Sequence, residues 1–204
     1  MEMIEINDLA LVRNNRQLFS GLTATFTKGS ISAIVGANGS GKSSLLLAIA
    51  GDLAPSSGSV FIAERNLKEL SDLEQSHLRS MALQERTFWL PMTVREVLAL
   101  GQRDLAKDKL EQVAGDLGLT QLLNNLVTTL SVGQVQRIEI ARTLLRDCPI
   151  YLFDEPFAAQ DLASKEKLIE IFKALRGAGK TIILVAHSEV ENLVWCDQII
   201  NLGS

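Results

Sequence analysis

One stretch limits the possible folds of this chain more than any other. The apolar run Ile31–Val35 leads directly into Gly36-Ala37-Asn38-Gly39-Ser40-Gly41-Lys42-Ser43, and a helical apolar run, Ser44–Ala50, follows. Strand, glycine loop and helix in that order match the phosphate-loop pattern. Glycines let the backbone turn tightly, so successive N–H groups converge on phosphate oxygens. The helix N-terminus adds its partial positive charge. Gly36, Asn38, Gly39, Ser40, Gly41, Lys42, Ser43 and Ser44 are therefore the candidate phosphate-contacting residues. Lys42 is placed to reach the β- and γ-phosphates of a nucleotide, and the Ser43 hydroxyl to ligate Mg²⁺.

A strand–loop–helix unit needs further parallel strands to bury both of its faces. The chain has 204 residues, enough for one domain with an insertion, and 47% of them are hydrophobic. Residues 1–30 alternate apolar and polar positions around two turns, which predicts antiparallel strands. After the loop come a strand at Val60–Ala63, a polar helical stretch from Leu67 to Leu78, and a strand at Met81–Leu83. Residues 85–146 then show only helical patterns: up to Leu100, Leu105–Leu117, Leu119–Leu126 and Ser131–Leu145. Buried strands return at Ile150–Phe153, Thr181–Val185 and Gln198–Leu202, alternating with helices at Leu162–Arg176 and Glu189–Trp195. The expected architecture is an α/β core with a mostly parallel sheet, an N-terminal antiparallel β part, and an inserted all-helical subdomain. The core takes residues 1–84 and 147–204, and the insertion takes 85–146.

Charge and cysteines exclude several classes. Twenty basic and 24 acidic side chains give net charge −4, without a basic run, which argues against a broad nucleic-acid face. Cys148 and Cys196 lie far apart and form neither a CxxC nor a zinc spacing, so they read as small buried hydrophobes in a reducing compartment. Met1 to Leu11 lacks the charged and apolar regions of a signal peptide. No apolar run approaches the ~20 residues that span a bilayer, so any membrane role is expected to come through a partner.

Two further motifs carry chemistry. Ile150-Tyr151-Leu152-Phe153-Asp154-Glu155-Pro156 presents two acids at the end of a buried strand, where ligands bind in open α/β sheets. Asp154 is placed to hold the Mg²⁺ shell, and Glu155 to act as general base on an attacking water. Leu130-Ser131-Val132-Gly133-Gln134 opens the last helix of the insertion with a serine N-cap, a second candidate anion site.

Taken together, these motifs resemble the ATP-binding cassette family. The order is phosphate loop, Gln84, Leu130–Gln134, Leu152–Pro156 and His187, and the likeness runs from Ile4 to Leu202. The resemblance implies a P-loop NTPase core of the RecA-like kind. It also implies an ATP- and Mg²⁺-dependent ATPase in which two cassettes sandwich two ATP molecules head to tail. Ser131, Gly133 and Gln134 would then touch the γ-phosphate bound by the partner chain, and Asp161 would cross the interface. His187 would contact the γ-phosphate, and Gln84 would link Mg²⁺ and the attacking water to the helical insertion. The catalytic set is thus Glu155, His187 and Gln84, and the metal set Ser43, Gln84 and Asp154.

The sequence departs from the family pattern twice. An aromatic that stacks on adenine is replaced at or near Arg13, whose guanidinium plane can stack on a base or simply lie solvated in a turn. Val132 replaces a signature glycine, and its β-branch restricts the backbone there. The run Gln84–Val97, with Phe88, Trp89, Leu90 and Met92, resembles the permease-docking segment of metal-ion and iron-chelate importers, although packing inside the insertion would use the same residues. The resemblance implies a polytopic permease, a second nucleotide-binding subunit (a homodimer), a solute-binding protein, and a peripheral place on the cytoplasmic membrane face. A haem-export-like cassette and a soluble cassette without a transport role are the alternatives.

Overall fold

The computed structural model describes residues 1–13, 15–83, 91–102, 105–186 and 190–203. The chain starts with a long hairpin, β1 (Glu2–Arg13) and β2 (Arg16–Thr27), followed by β3 (Ile31–Gly36) and α1 (Lys42–Ala50). Next come β4 (Ser57–Ile62), β5 (Arg65–Asn66), a 3₁₀ turn at Leu67–Glu69, α2 (Asp72–Leu78) and β6 (Arg79–Ala82). The helices α3 (Val94–Ala99), α4 (Lys107–Asp116) and α5 (Val132–Leu145) follow. The chain finishes with β7 (Ile150–Asp154), α6 (Leu162–Gly177), β8 (Thr181–Val185) and β9 (Gln198–Leu202).

The strands form two sheets. One is antiparallel in the order β2-β1-β4-β5, and the other is parallel in the order β6-β7-β8-β3-β9. Side chains alternate across the parallel sheet, as the pleat requires. Ile150, Leu152, Ile183, Val185 and Ile34 pack with α1 and with Ile4, Ile6, Leu9, Leu11 and Phe26 of the antiparallel sheet. Tyr151, Phe153, Ile182, Leu184, Ala33 and Val35 face the other way, against α6 and the helices of the insertion. This two-sided burial is why β3, β7 and β8 are almost continuously apolar. It also explains α1, which lies between the two sheets and buries Leu45, Leu46, Ala48, Ile49 and Ala50. Gly58 (φ +81) is dictated by close approach, because a side chain there would run into the main-chain carbonyls of Asn7 and Asp8 at a β1 bulge.

Three expected helices resolve differently. The stretch 67–78 splits because Ser71 forms a capping box with Glu74, which starts α2 afresh. The stretch 119–126 makes only a 3₁₀ turn at Thr120–Leu122. Its backbone is engaged elsewhere: Val94 and Arg95 N–H groups donate to the carbonyls of Asn125 and Leu123, and Val127 N–H donates to Met92. A similar 3₁₀ turn, Val190–Leu193, stands where a short helix was expected. Met92 is partly buried against the apolar cluster that includes Val94, Leu98 and Leu123. Among the described residues, no helix is long and apolar enough to cross a membrane.

Candidate nucleotide-binding site

The phosphate loop leaves the end of β3 at the edge where β7 also terminates. Gly36 (φ +147) sits so close to the Leu202 carbonyl of β9 that no side chain fits. Gly41 (φ +98) caps α1 in the left-handed conformation, and an added Cβ would meet the Phe19 ring at 3.0 Å. Both positions need glycine for steric reasons. Asn38 and Gly39 are exposed at the loop crest, while Ser44 is buried one turn into α1. Lys42 is only 5% exposed, and its ammonium donates to the carbonyls of Gly36 at 2.9 Å and Ala37 at 3.0 Å. Ser40 Oγ is buried with no hydrogen-bond partner. An orphaned hydroxyl beside a lysine ammonium and a helix N-terminus fits an anionic ligand.

Asp154 ends β7 opposite Ser43, whose hydroxyl donates to Asp154 Oδ1 at 3.0 Å. These hard oxygen donors suit Mg²⁺, which is held by one or two protein oxygens together with substrate phosphates and water. Glu155 follows in the left-handed region (φ +50), uncommon for a side chain of its size. Its carbonyl accepts Gln136 Nε2 at 2.7 Å and the Ala158 N–H at 3.1 Å. Just beyond, Phe157 packs edge-on against Trp195, with ring centroids 5.8 Å apart, and against Phe172 at 6.1 Å. The chain after the acids is thereby anchored in the core.

Ser131 caps α5, and Gln134 folds back over it: Ser131 N–H donates to Gln134 Oε1 at 2.9 Å, and Gln134 N–H donates to Ser131 Oγ at 3.3 Å. Val132 is 76% exposed beside them. Gly133 lies against the loop after Glu155, where an added Cβ would stand 2.6 Å from the Ala159 carbonyl. Asp161 caps α6 by accepting the Ser164 N–H at 2.7 Å, and these hydrogen bonds hold its carboxyl below the ordinary carboxylate range. Arg13 is exposed at the end of β1, paired with Arg16 across the hairpin whose Leu18 and Phe19 touch Gly41.

One face therefore gathers Lys42, Ser43, Asp154 and Glu155, and a single loop connects Glu155 to Asp161. Gln84 and His187, together with Phe88, Trp89 and Leu90, lie outside the described residues. Sequence reasoning missed Gln136 and Gln160. The available signal was a glutamine on the apolar side of α5 next to Ile138 and Ile140. Cys148 is buried as expected and Cys196 only partly so, and burial pushes their thiols up to about 11 and about 12.

Comparison with known proteins matches residues 19–158 to the family model described as ABC transporter. The thiamine import ATP-binding protein ThiQ of Haemophilus influenzae is 37% identical over 97% of this chain and 94% of its own length. The hemin import ATP-binding protein HmuV of Nocardia farcinica is 32% identical over 93% of this chain and 68% of its own. The zinc transport system ATP-binding protein TroB of Treponema pallidum is 29% identical over 98% and 78%. In fold, a bacterial Atm1-family ABC exporter solved with ATP bound superposes with TM-score 0.90 at 23% identity. That match covers 98% of this chain and 37% of the exporter chain. The family model spans more than half of the sequence, and the first relative aligns over nearly all of it, so the chain belongs to the ABC transporter family as one of its ATP-hydrolysing cassettes.

Proposed function

We propose that this cassette powers solute import through a membrane permease by closing and reopening an ATP-sandwich dimer. The observation that carries the nucleotide chemistry is the Ser43–Asp154 pair at 3.0 Å beside the buried Lys42. The import direction is supported by the relatives named for thiamine, hemin and zinc import or transport. A metal ion or metal chelate is the proposed cargo class, on the strength of the hemin and zinc relatives.

The loop N–H groups and Lys42 bind the β- and γ-phosphates. Ser43 and Asp154 would hold Mg²⁺, which neutralises charge developing on the phosphates. Glu155 orients a water for in-line attack on the γ-phosphorus and accepts its proton. The new bond joins water oxygen to phosphorus, the bond to the β–γ bridging oxygen breaks, and ADP and phosphate leave. His187 and Gln84 complete the set by positioning γ-phosphate and water. Arg13 stacks on the adenine ring. Ser131, Gly133 and Gln134 of a second copy close over the γ-phosphate, and Asp161 crosses the interface. Residues 85–146 act as the helical unit that passes this closure to the permease. A cleft of about 250 Å³ supports that docking: Arg79, Arg142, Arg146, Glu139, Leu83 and Leu100 line it. In this reading the cassette is peripheral, on the cytoplasmic face, with a solute-binding protein across the membrane.

The test is Glu155→Gln with saturating MgATP. The variant should accumulate as an ATP-bound dimer by light scattering while phosphate release falls at least a hundredfold. A monomer under those conditions would overturn the sandwich. Affinity purification of the tagged chain from native membranes should bring down a polytopic permease. A co-purified binding protein that takes thiamine and no metal or chelate would overturn the cargo class.

A further inference from the structure

Outside the phosphate loop, the most tightly built polar cluster lies where the start of α5 meets the loop after β7. Gln136 is only 6% exposed, and its side-chain amide is used at both ends. Nε2 donates to the Glu155 carbonyl at 2.7 Å, and Oε1 accepts Gln160 Nε2 at 3.2 Å. The same Gln160 amine also donates to the Gly133 carbonyl at 3.3 Å. Gly133 has no side chain to hold the loop off, and the Ala159 carbonyl lies 2.6 Å from where its Cβ would be. Two residues of that loop, Glu155 (φ +50) and Ala159 (φ +52), are in the left-handed region that non-glycine residues rarely enter.

A backbone conformation of this kind persists only where surrounding contacts over-determine it. The Glu155 carbonyl accepts the Ala158 N–H from within the loop and the Gln136 amide from outside it. The amide of Gln136 thus ties the peptide after Glu155 to the helix bearing Ser131 and Gly133.

We infer that Gln136 is a positioning residue for hydrolysis: it sets the orientation of the Glu155 peptide and locks it to the signature helix, with Gln160 as the second clamp. The inference rests on Glu155 acting as the base. Movement of α5 would be transmitted to the Glu155 carbonyl through the Gln136 amide, with the Gln160 bonds holding the far end of the same loop. Both ends of the Gln136 amide are taken by protein groups, Glu155 and Gln160, so its effect falls on the rate and not on the affinity for ATP.

The test compares steady-state ATPase kinetics and MgATP affinity of the full-length chain with those of two variants. Gln136→Met keeps the volume and removes both hydrogen bonds. Its kcat should fall between about tenfold and a hundredfold, the range expected when a reacting group is misplaced by about 1 Å. KM and the dissociation constant for MgATP should stay within about twofold. Gln160→Leu leaves the Gln136–Glu155 bond in place and should lose less than Gln136→Met, again in kcat alone. The second variant also decides the matter if Gln136→Met does not fold, since a kcat equal to wild type in Gln160→Leu would overturn the clamp. Wild-type kcat in a folded Gln136→Met, or a loss of ATP affinity equal to the loss of rate, would overturn the inference while leaving the ATPase reading intact. A wild-type chain without MgATP turnover would overturn both.

Discussion

Phe172→Ala tests how the core supports the acid pair. Phe172 is fully buried on α6, and its ring lies 4.7 Å from Phe153, 6.1 Å from Phe157 and 6.3 Å from Trp195 by centroid. Phe153 directly precedes Asp154 and Glu155, and Phe157 follows them by two residues. One ring therefore braces both sides of the acid pair. Truncation removes the apolar transfer energy and leaves a cavity, about 3–5 kcal/mol for a buried phenylalanine. Typical domain stabilities are about 5–15 kcal/mol, so a folded population should survive. At about 2–4 °C per kcal/mol for a chain of this size, the melting midpoint should fall by about 6–20 °C. The assay is thermal unfolding by circular dichroism, paired with ATPase kinetics at 20 °C, where the variant is still folded. The kcat should drop as well, because β7 loses the packing that holds Asp154 against Ser43. Phe172→Leu keeps part of the ring's volume and should fall between the variant and wild type in both readouts. A midpoint shift under about 3 °C would refute the burial argument. A full shift with unchanged kcat would refute the link from the aromatic cluster to the acids.

Two other outcomes follow from single contacts. Ser43→Ala removes the hydroxyl that meets Asp154 at 3.0 Å, so the Mg²⁺ concentration needed for half-maximal ATPase should rise at least tenfold, with thermal stability lowered by no more than a few degrees; an unchanged Mg²⁺ titration would contradict the assignment. Glu74 is held at about 2, down from 4.5, by hydrogen bonds from the Ser71 N–H and hydroxyl and then from Arg65. A depressed carboxyl stabilises the folded state above its unfolded value and loses that contribution as pH falls through the folded one. The melting midpoint should therefore drop from pH 4.5 towards 2, and Glu74→Gln should show a shallower fall over the same window; equal slopes would count against the capping box as a pH-sensitive contact.

Much of this protein is legible from one dimension because its determinants are local. The phosphate loop announces itself since glycine is needed where a positive φ coincides with close neighbours, as at Gly36 and Gly41. Strands β3, β7 and β8 show as continuous apolar runs because both faces of the parallel sheet are covered. Ser131 marks a helix start through a capping box with the residue three further on, whereas the same device at Ser71 lies inside a stretch whose pattern reads as one helix. Family membership could likewise be inferred from motif order alone, and the family match bears it out.

What the tertiary structure decided are the contacts between segments remote in sequence. Residues 119–126 have a helical pattern, yet their carbonyls serve the 92–95 segment, and long-range pairing outweighs helix propensity there. No local signal says that Gln136 reaches Glu155 nineteen residues on, or that the Ala159 carbonyl occupies the space beside Gly133. The left-handed turn at Glu155 is equally invisible in sequence, because glutamate has no intrinsic preference for it. Local chemistry thus determined which segments become strand, loop and helix start. Packing between distant segments determined how the acids at the end of β7 are held against the phosphate loop and α5.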